Sequence, residues 1–157
     1  MLTRPANAPA EASLCGKMIL VDDAVARYRS GSEANDVDAL LASLADDAEL
    51  VSPLSGRFVF RGHGDLRILL GAVYGAMNGL TWREEVGDGA LRVVLGDGRI
   101  GPFKLADAMV CELDEEGRIR RVSPYLRPWL AVTYFALVLG PKLARHPGVL
   151  LRAARAR

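Results

Sequence analysis

The chain has 157 residues, half of them hydrophobic, and a formal net charge of +1. That size suits one globular domain able to bury most of its apolar surface, and a second full domain is not expected. The near-neutral total hides a split. With 11 basic residues against 19 acidic ones the chain up to Gly117 carries −8, and Arg118 to Arg157 carries +9 with no acid at all. Such a split suits a basic tail lying on its own acidic body, on a partner subunit, or on an anionic membrane surface. Nucleic acid is not expected as a partner, because the basic residues are not interleaved with stacking aromatics.

Residues 1–16 read as a Pro/Ala tail lacking the continuous apolar core of a signal peptide, so a cytoplasmic location is expected. The two cysteines, Cys15 and Cys111, have no metal-type spacing, and neither a metal nor another cofactor is implied. From Met18 to Arg29, Val21, Ala24, Val25 and Tyr28 recur at helical spacing up to Ser30-Gly31-Ser32. Asn35 or Asp36 can cap a second helix with Val37, Leu40, Leu41 and Leu44 as its apolar stripe.

The period then changes to two. Ala48, Leu50 and Ser52 share one face of a strand that Pro53 ends, and Phe58 to Arg61 form a short return. Gly62-His63-Gly64 breaks the strand, and Asp65 can cap a helix carrying Leu66, Leu69, Leu70, Val73 and Tyr74. Strands follow at Leu80 to Val86, Ala90 to Leu95, Phe103 to Leu113 and Arg118 to Leu126. Their turn signals are Gly87-Asp88-Gly89, Gly96-Asp97-Gly98 and Asp114 to Gly117. This order predicts an α+β fold with a mainly antiparallel sheet.

Beyond Pro128, Trp129 to Leu139 is an apolar run shorter than the ~20 residues that span a bilayer, and Gly140-Pro141 is expected to break it. Leu143 to Arg157 is a basic amphipathic segment. It reads either as a helix covering the body or a dimer partner, or as a peripheral membrane contact. The expected organisation is thus a tail over 1–16, a domain over 17–128, and a helical extension over 129–157.

The chemistry concentrates on the strand from Phe103. Alternation places Leu105, Asp107, Met109, Cys111 and Leu113 on one apolar side, so Asp107 is expected inside, where a carboxyl tends to stay protonated and donate a hydrogen bond. The same parity puts Glu84 on the inner side with Trp82 and Val86, as a candidate second carboxylate; the alternative is a rim residue paired with Arg83 or Arg92. Phe58, Trp82, Met109 and Trp129 are candidates either for pocket lining or for plain core.

The run of Arg27-Tyr28-Arg29, Asn35-Asp36-Val37-Asp38, Leu44-Ala45-Asp46-Asp47-Ala48, Phe60-Arg61-Gly62-His63 and Glu116-Gly117-Arg118-Ile119 resembles the NTF2-like superfamily. Within it, the chain is most similar to the ketosteroid isomerase and SnoaL-like polyketide cyclase branch. The resemblance covers about Val21 to Pro128. It implies a cone in which a curved sheet wraps a long helix around an apolar pocket, and a homodimer. It also implies that Tyr28 and Asp107 match the phenol and the protonated acid of an oxyanion hole. Ser52 stands where the isomerase has its catalytic aspartate, and a hydroxyl without a base of its own cannot shuttle a proton.

The function expected from these features is binding of an apolar, carbonyl-bearing small molecule. If the chain is an enzyme, isomerase or cyclase chemistry through an enolate-type intermediate is implied, with Glu84 or a water held by Ser52 taking the proton. The rival is a non-catalytic binding or interaction module whose basic C-terminal segment docks to a partner or a membrane.

Overall fold

The computed structural model describes residues 23–156. The expected Pro/Ala tail, Cys15 and the start of the first helix at Met18 lie outside the described residues. Helix α1 spans Ala24–Ala34, with the Asp23 carboxylate capping the Val25 amide, and Asn35 ends it in a left-handed conformation at φ 55°. The helix therefore runs past Ser30-Gly31-Ser32, where a stop was expected. Gly31 is needed inside it for close packing: a Cβ there would lie 3.2 Å from the Ala39 Cβ of the next helix. That helix, α2 (Val37–Ala42), is capped by Asp36 as predicted.

Strands β1 (Leu44–Val51) and β2 (Val59–Arg61) are followed by α3 (Gly62–Tyr74), and four strands then run β3 (Met77–Val86), β4 (Leu91–Ile100), β5 (Phe103–Leu113) and β6 (Ile119–Arg127). They form one curved sheet in the order β2-β1-β6-β5-β4-β3. Every pairing is antiparallel except β1 with β6. Helices α1 to α3 pack on the inner face, where Tyr28, Leu40, Leu66 and Leu70 join Val94, Leu105 and Met109 in the core.

Three boundaries differ from expectation for physical reasons. Leu44, expected on the apolar stripe of α2, instead opens β1, so the strand expected from Ala48 starts four residues earlier and holds Asp46-Asp47 within it, exposed at a register shift between Leu44 and Glu49. Asp65 does not cap α3, which starts at Gly62; it stands in the first turn. Gly96-Asp97-Gly98 is not a turn: it sits mid-strand in β4, paired with Leu105 to Asp107. Gly96 is there for want of space, since a Cβ at that position would come 2.5 Å from the Trp82 ring across the β3–β4 pair. The turn after β4 is at Gly101, whose φ of 54° favours glycine and whose vacant Cβ position is taken by the Tyr134 ring.

The extension forms α4 (Trp129–Ala144) and α5 (Pro147–Arg155). Gly140-Pro141 does not break α4. Proline removes one amide and displaces the carbonyl four residues earlier, yet Pro141 is on the solvent side, while Phe135, Leu139 and Leu143 are buried on either side of it. Packing of that inner stripe outweighs the lost hydrogen bond. Arg152 of α5 pairs with Asp65 of α3, tying the extension to the body.

The Trp82–Gly96 contact yields a test. Gly96→Ala is expected to lower stability by about 1–3 kcal/mol, the usual cost of overpacking. Gly64→Ala, in α3 with open space around the new methyl, should be neutral or stabilising by roughly 0.5–1 kcal/mol. Urea melts of the two variants check the contrast, and equal stabilities would contradict the assigned packing.

Candidate functional site

The chain forms an apolar cavity of about 250 Å³, partly open to solvent, between the inner face of the sheet, α3 and the C-terminal helices. Strand β5 supplies Asp107 and Met109, α1 supplies Tyr28, and α3 supplies Tyr74. Phe135, Leu139 and Leu143 of α4 complete the wall, with Leu150 of α5 beside them. The loop between β1 and β2 brings Leu54 and Phe58, both partly in solvent, to the same cavity.

Asp107 is on the inner face, as strand alternation requires: Leu105, Met109 and Cys111 beside it are all buried. It pairs with Gly96 on one side and Leu126 on the other, so β5 is flanked by β4 and β6. Burial pushes its carboxyl up from 3.8 to about 7, against the opposing effect of a hydrogen bond from the Tyr125 backbone. Oδ1 is buried and has no hydrogen-bond partner among the described residues. An oxygen in that state costs roughly 1–3 kcal/mol.

Tyr28 and Asp107 border the same cavity, but no hydrogen bond joins them; the Tyr74 hydroxyl donates to the Tyr28 hydroxyl at 3.0 Å instead. The two rings meet edge to face with centroids 6.3 Å apart. Tyr28 is fully buried. Burial raises both phenols, the Tyr28–Tyr74 hydrogen bond lowers Tyr28 and raises Tyr74, and the charge of ionised Asp107 raises both further. Burial, with the same neighbour, pushes the Cys111 thiol up to about 12. Sequence reasoning missed Tyr74 as a site residue. Its position four residues after Leu70 on the apolar stripe of α3 was the available signal.

The other expected site residues divide. Ser52, Phe58 and Met109 line the cavity. The Ser52 hydroxyl is occupied by its own turn, accepting from the Leu54 amide at 3.3 Å. Trp82 is core: its indole donates to the Ser32 hydroxyl at 2.7 Å, away from the cavity lining. Trp129 is exposed at the start of α4 and does not line the cavity.

Glu84 faces solvent, against the parity reading. A register shift between Trp82 and Glu84 adds one residue to β3 and inverts its alternation, so that Glu85 turns toward Arg29 and Arg92 in its place. Asp107 is consequently the one carboxyl among the cavity-lining residues.

No family model and no curated protein matches the chain. Solved structures do. An uncharacterized protein with a cystatin-like fold from Silicibacter pomeroyi is similar with a TM-score of 0.76 and 20% identity, over 83% of this chain and 93% of that one. A steroid delta-isomerase from Pseudomonas aeruginosa gives a TM-score of 0.71 at 20% identity, over 80% and 92%. An epoxide hydrolase/cyclase-like enzyme with a role in pyran ring formation in the polyether salinomycin gives 0.58 at 17%, over 70% and 92%. The fold is that of the NTF2-like proteins, as the sequence resemblance implied.

The Asp107 shift has a thermodynamic consequence. The folded chain holds this proton up to about 7, whereas the ordinary value is 3.8. Between those values the native state binds more protons than the unfolded one, so this group's contribution to stability falls as pH rises through the window and levels off above it. Asp107→Asn is expected to flatten that slope and to be more stable than the parent above about pH 7. Urea melts across the window measure both; superimposable pH profiles would show that the carboxyl is not desolvated.

Proposed function

We propose that the protein binds an apolar small molecule carrying one oxygen function, and that Asp107 is the polar contact for that oxygen. The reading is carried by the buried, unpartnered Oδ1 of Asp107, a residue that lines a mostly apolar cavity. An apolar cavity of about 150 Å³ can hold benzene, so 250 Å³ suits a ligand larger than a single aromatic ring. A protonated Asp107 donates, and a carbonyl is the complementary acceptor. The fold shared with a steroid delta-isomerase and an epoxide hydrolase/cyclase-like enzyme supports a small-molecule role.

Isomerase or cyclase turnover requires a proton acceptor as well as a donor. Glu84 is outside, the Ser52 hydroxyl is hydrogen-bonded to the Leu54 amide rather than to a base, and Tyr28 and Tyr74 hold their protons more tightly than a free phenol. Asp107 would be the sole carboxyl available for both tasks. These features favour binding over turnover.

Thermal-shift titrations with a series of cyclic and medium-chain ketones, compared with hydrocarbons of the same shape, test the proposal. Ketones should bind better, with affinity falling as pH rises through about 7. Asp107→Leu should weaken ketone binding by a few-fold to about tenfold, the worth of one neutral hydrogen bond, and leave hydrocarbon binding unchanged. Ketone binding that ignores both pH and this substitution would overturn it.

A further inference from the structure

Helix α4 has two contrasting long faces. Ala131, Phe135, Leu139 and Leu143 form its buried stripe. At 100° per residue the opposite side carries Leu130, Thr133, Leu137, Pro141 and Ala144, all of them exposed and none charged. Leu137 is 70% and Leu130 48% accessible, and Trp129, 72% accessible, flanks the stripe at the N-terminal end of the helix. Lone exposed hydrophobic residues need no explanation, but an uncharged stripe along a 16-residue helix does.

Charge identifies what covers it. Arg145 and Arg155 are exposed at the junction of α4 with α5 and on α5 itself, and neither forms an ion pair among the described residues. Arg118, Arg120, Arg121 and Arg152, by contrast, are each paired with an acid of the body. Neither α4 nor α5 contains an acidic residue. A second copy meeting this face in two-fold fashion would set basic helices against basic helices. A single nucleic-acid strand would want cations and aromatics along the stripe, and the stripe has neither.

We propose that the outer face of α4, together with the basic end it shares with α5, docks on an anionic lipid bilayer. The apolar stripe enters the headgroup boundary, Trp129 takes the interfacial position that suits an amphipathic ring, and the cations meet lipid phosphates. No helix among the described residues is long and apolar enough to cross a membrane, so the contact is one of lying on the surface. The proposal is independent of what occupies the cavity.

Flotation of the full chain with vesicles of equimolar phosphatidylcholine and phosphatidylglycerol, against phosphatidylcholine alone, is the test. The chain is expected to float with the anionic vesicles and not the neutral ones, and to be released by salt. Trp129 emission should shift to the blue on binding, since Trp82 is already buried. Leu130→Glu with Leu137→Glu changes only exposed positions and should abolish both signals with the far-ultraviolet circular dichroism intact. Arg145→Ala with Arg155→Ala should weaken binding on the order of thirty-fold. Absence of flotation with anionic vesicles, or flotation indifferent to the two leucine substitutions, overturns the proposal. So does a dimer, seen by light scattering, that those substitutions dissociate, because the face would then belong to a second copy.

Discussion

The charged form of a carboxyl is disfavoured wherever water is replaced by hydrocarbon, and Asp107 occupies such a place in β5. The alternation that puts Leu105, Met109 and Cys111 into the core turns its side chain inward, where it is only partly accessible, and the cavity lining supplies no cation to compensate. The response is to keep the proton. Tyr28, Tyr74 and Cys111 share the neighbourhood, and the same burial, together with the negative charge Asp107 would carry, holds their protons as well. Ionisation of Asp107 would thus oppose ionisation of the other three. Below about pH 7 the wall of the cavity is neutral and carries donors, a setting suited to an acceptor oxygen and hostile to an anion.

Tyr28 reaches this wall because α1 is fastened to the sheet on both sides of it. Asp23, at the cap of α1, and Glu85 share Arg92, and Arg29, next to Tyr28, reaches Glu85 at 3.2 Å. One turn further on, Ser32 takes the Trp82 indole hydrogen bond, and the indole in turn lies over Gly96. Partly exposed ion pairs of this kind contribute modestly to stability, but they fix register. Their geometry exists only because β3 carries an extra residue between Trp82 and Glu84, which turns Glu85 rather than Glu84 toward the arginines.

That extra residue marks the limit of what alternation reveals. On β5, which runs without a register shift against β4 from Phe103 to Glu112, period-two reading placed Asp107 correctly from the sequence. On β3 the same reasoning failed one residue past Trp82, because a bulge depends on pairing across strands and leaves no local signature. Gly96-Gly98 misled for a related reason: glycine signals a turn when the backbone needs freedom, but here it makes space for Trp82 and for Leu80 with Met77. Pro141 misled because propensity gave way to the packing of Phe135, Leu139 and Leu143. Tyr74 as the partner of Tyr28 was out of reach, since nothing in either segment specifies that α1 and α3 meet at their tyrosines.

The extension changes the character of the cone more than its length suggests. Without α4 and α5 the cavity would lose Phe135, Leu139, Leu143 and Leu150 from its lining and open further toward solvent, and the desolvation that holds the Asp107 proton would weaken with it. The polar spot and the covering helices are therefore coupled: the helices that keep water from the cavity strengthen the carboxyl's hold on its proton. Because α4 presents its inner stripe to the cavity and its outer stripe to the surroundings, whatever holds the outer face acts on the same rigid body that closes the inner one. If the helix shifts when the cavity fills, binding at the two faces is linked, and linkage of binding free energies is reciprocal.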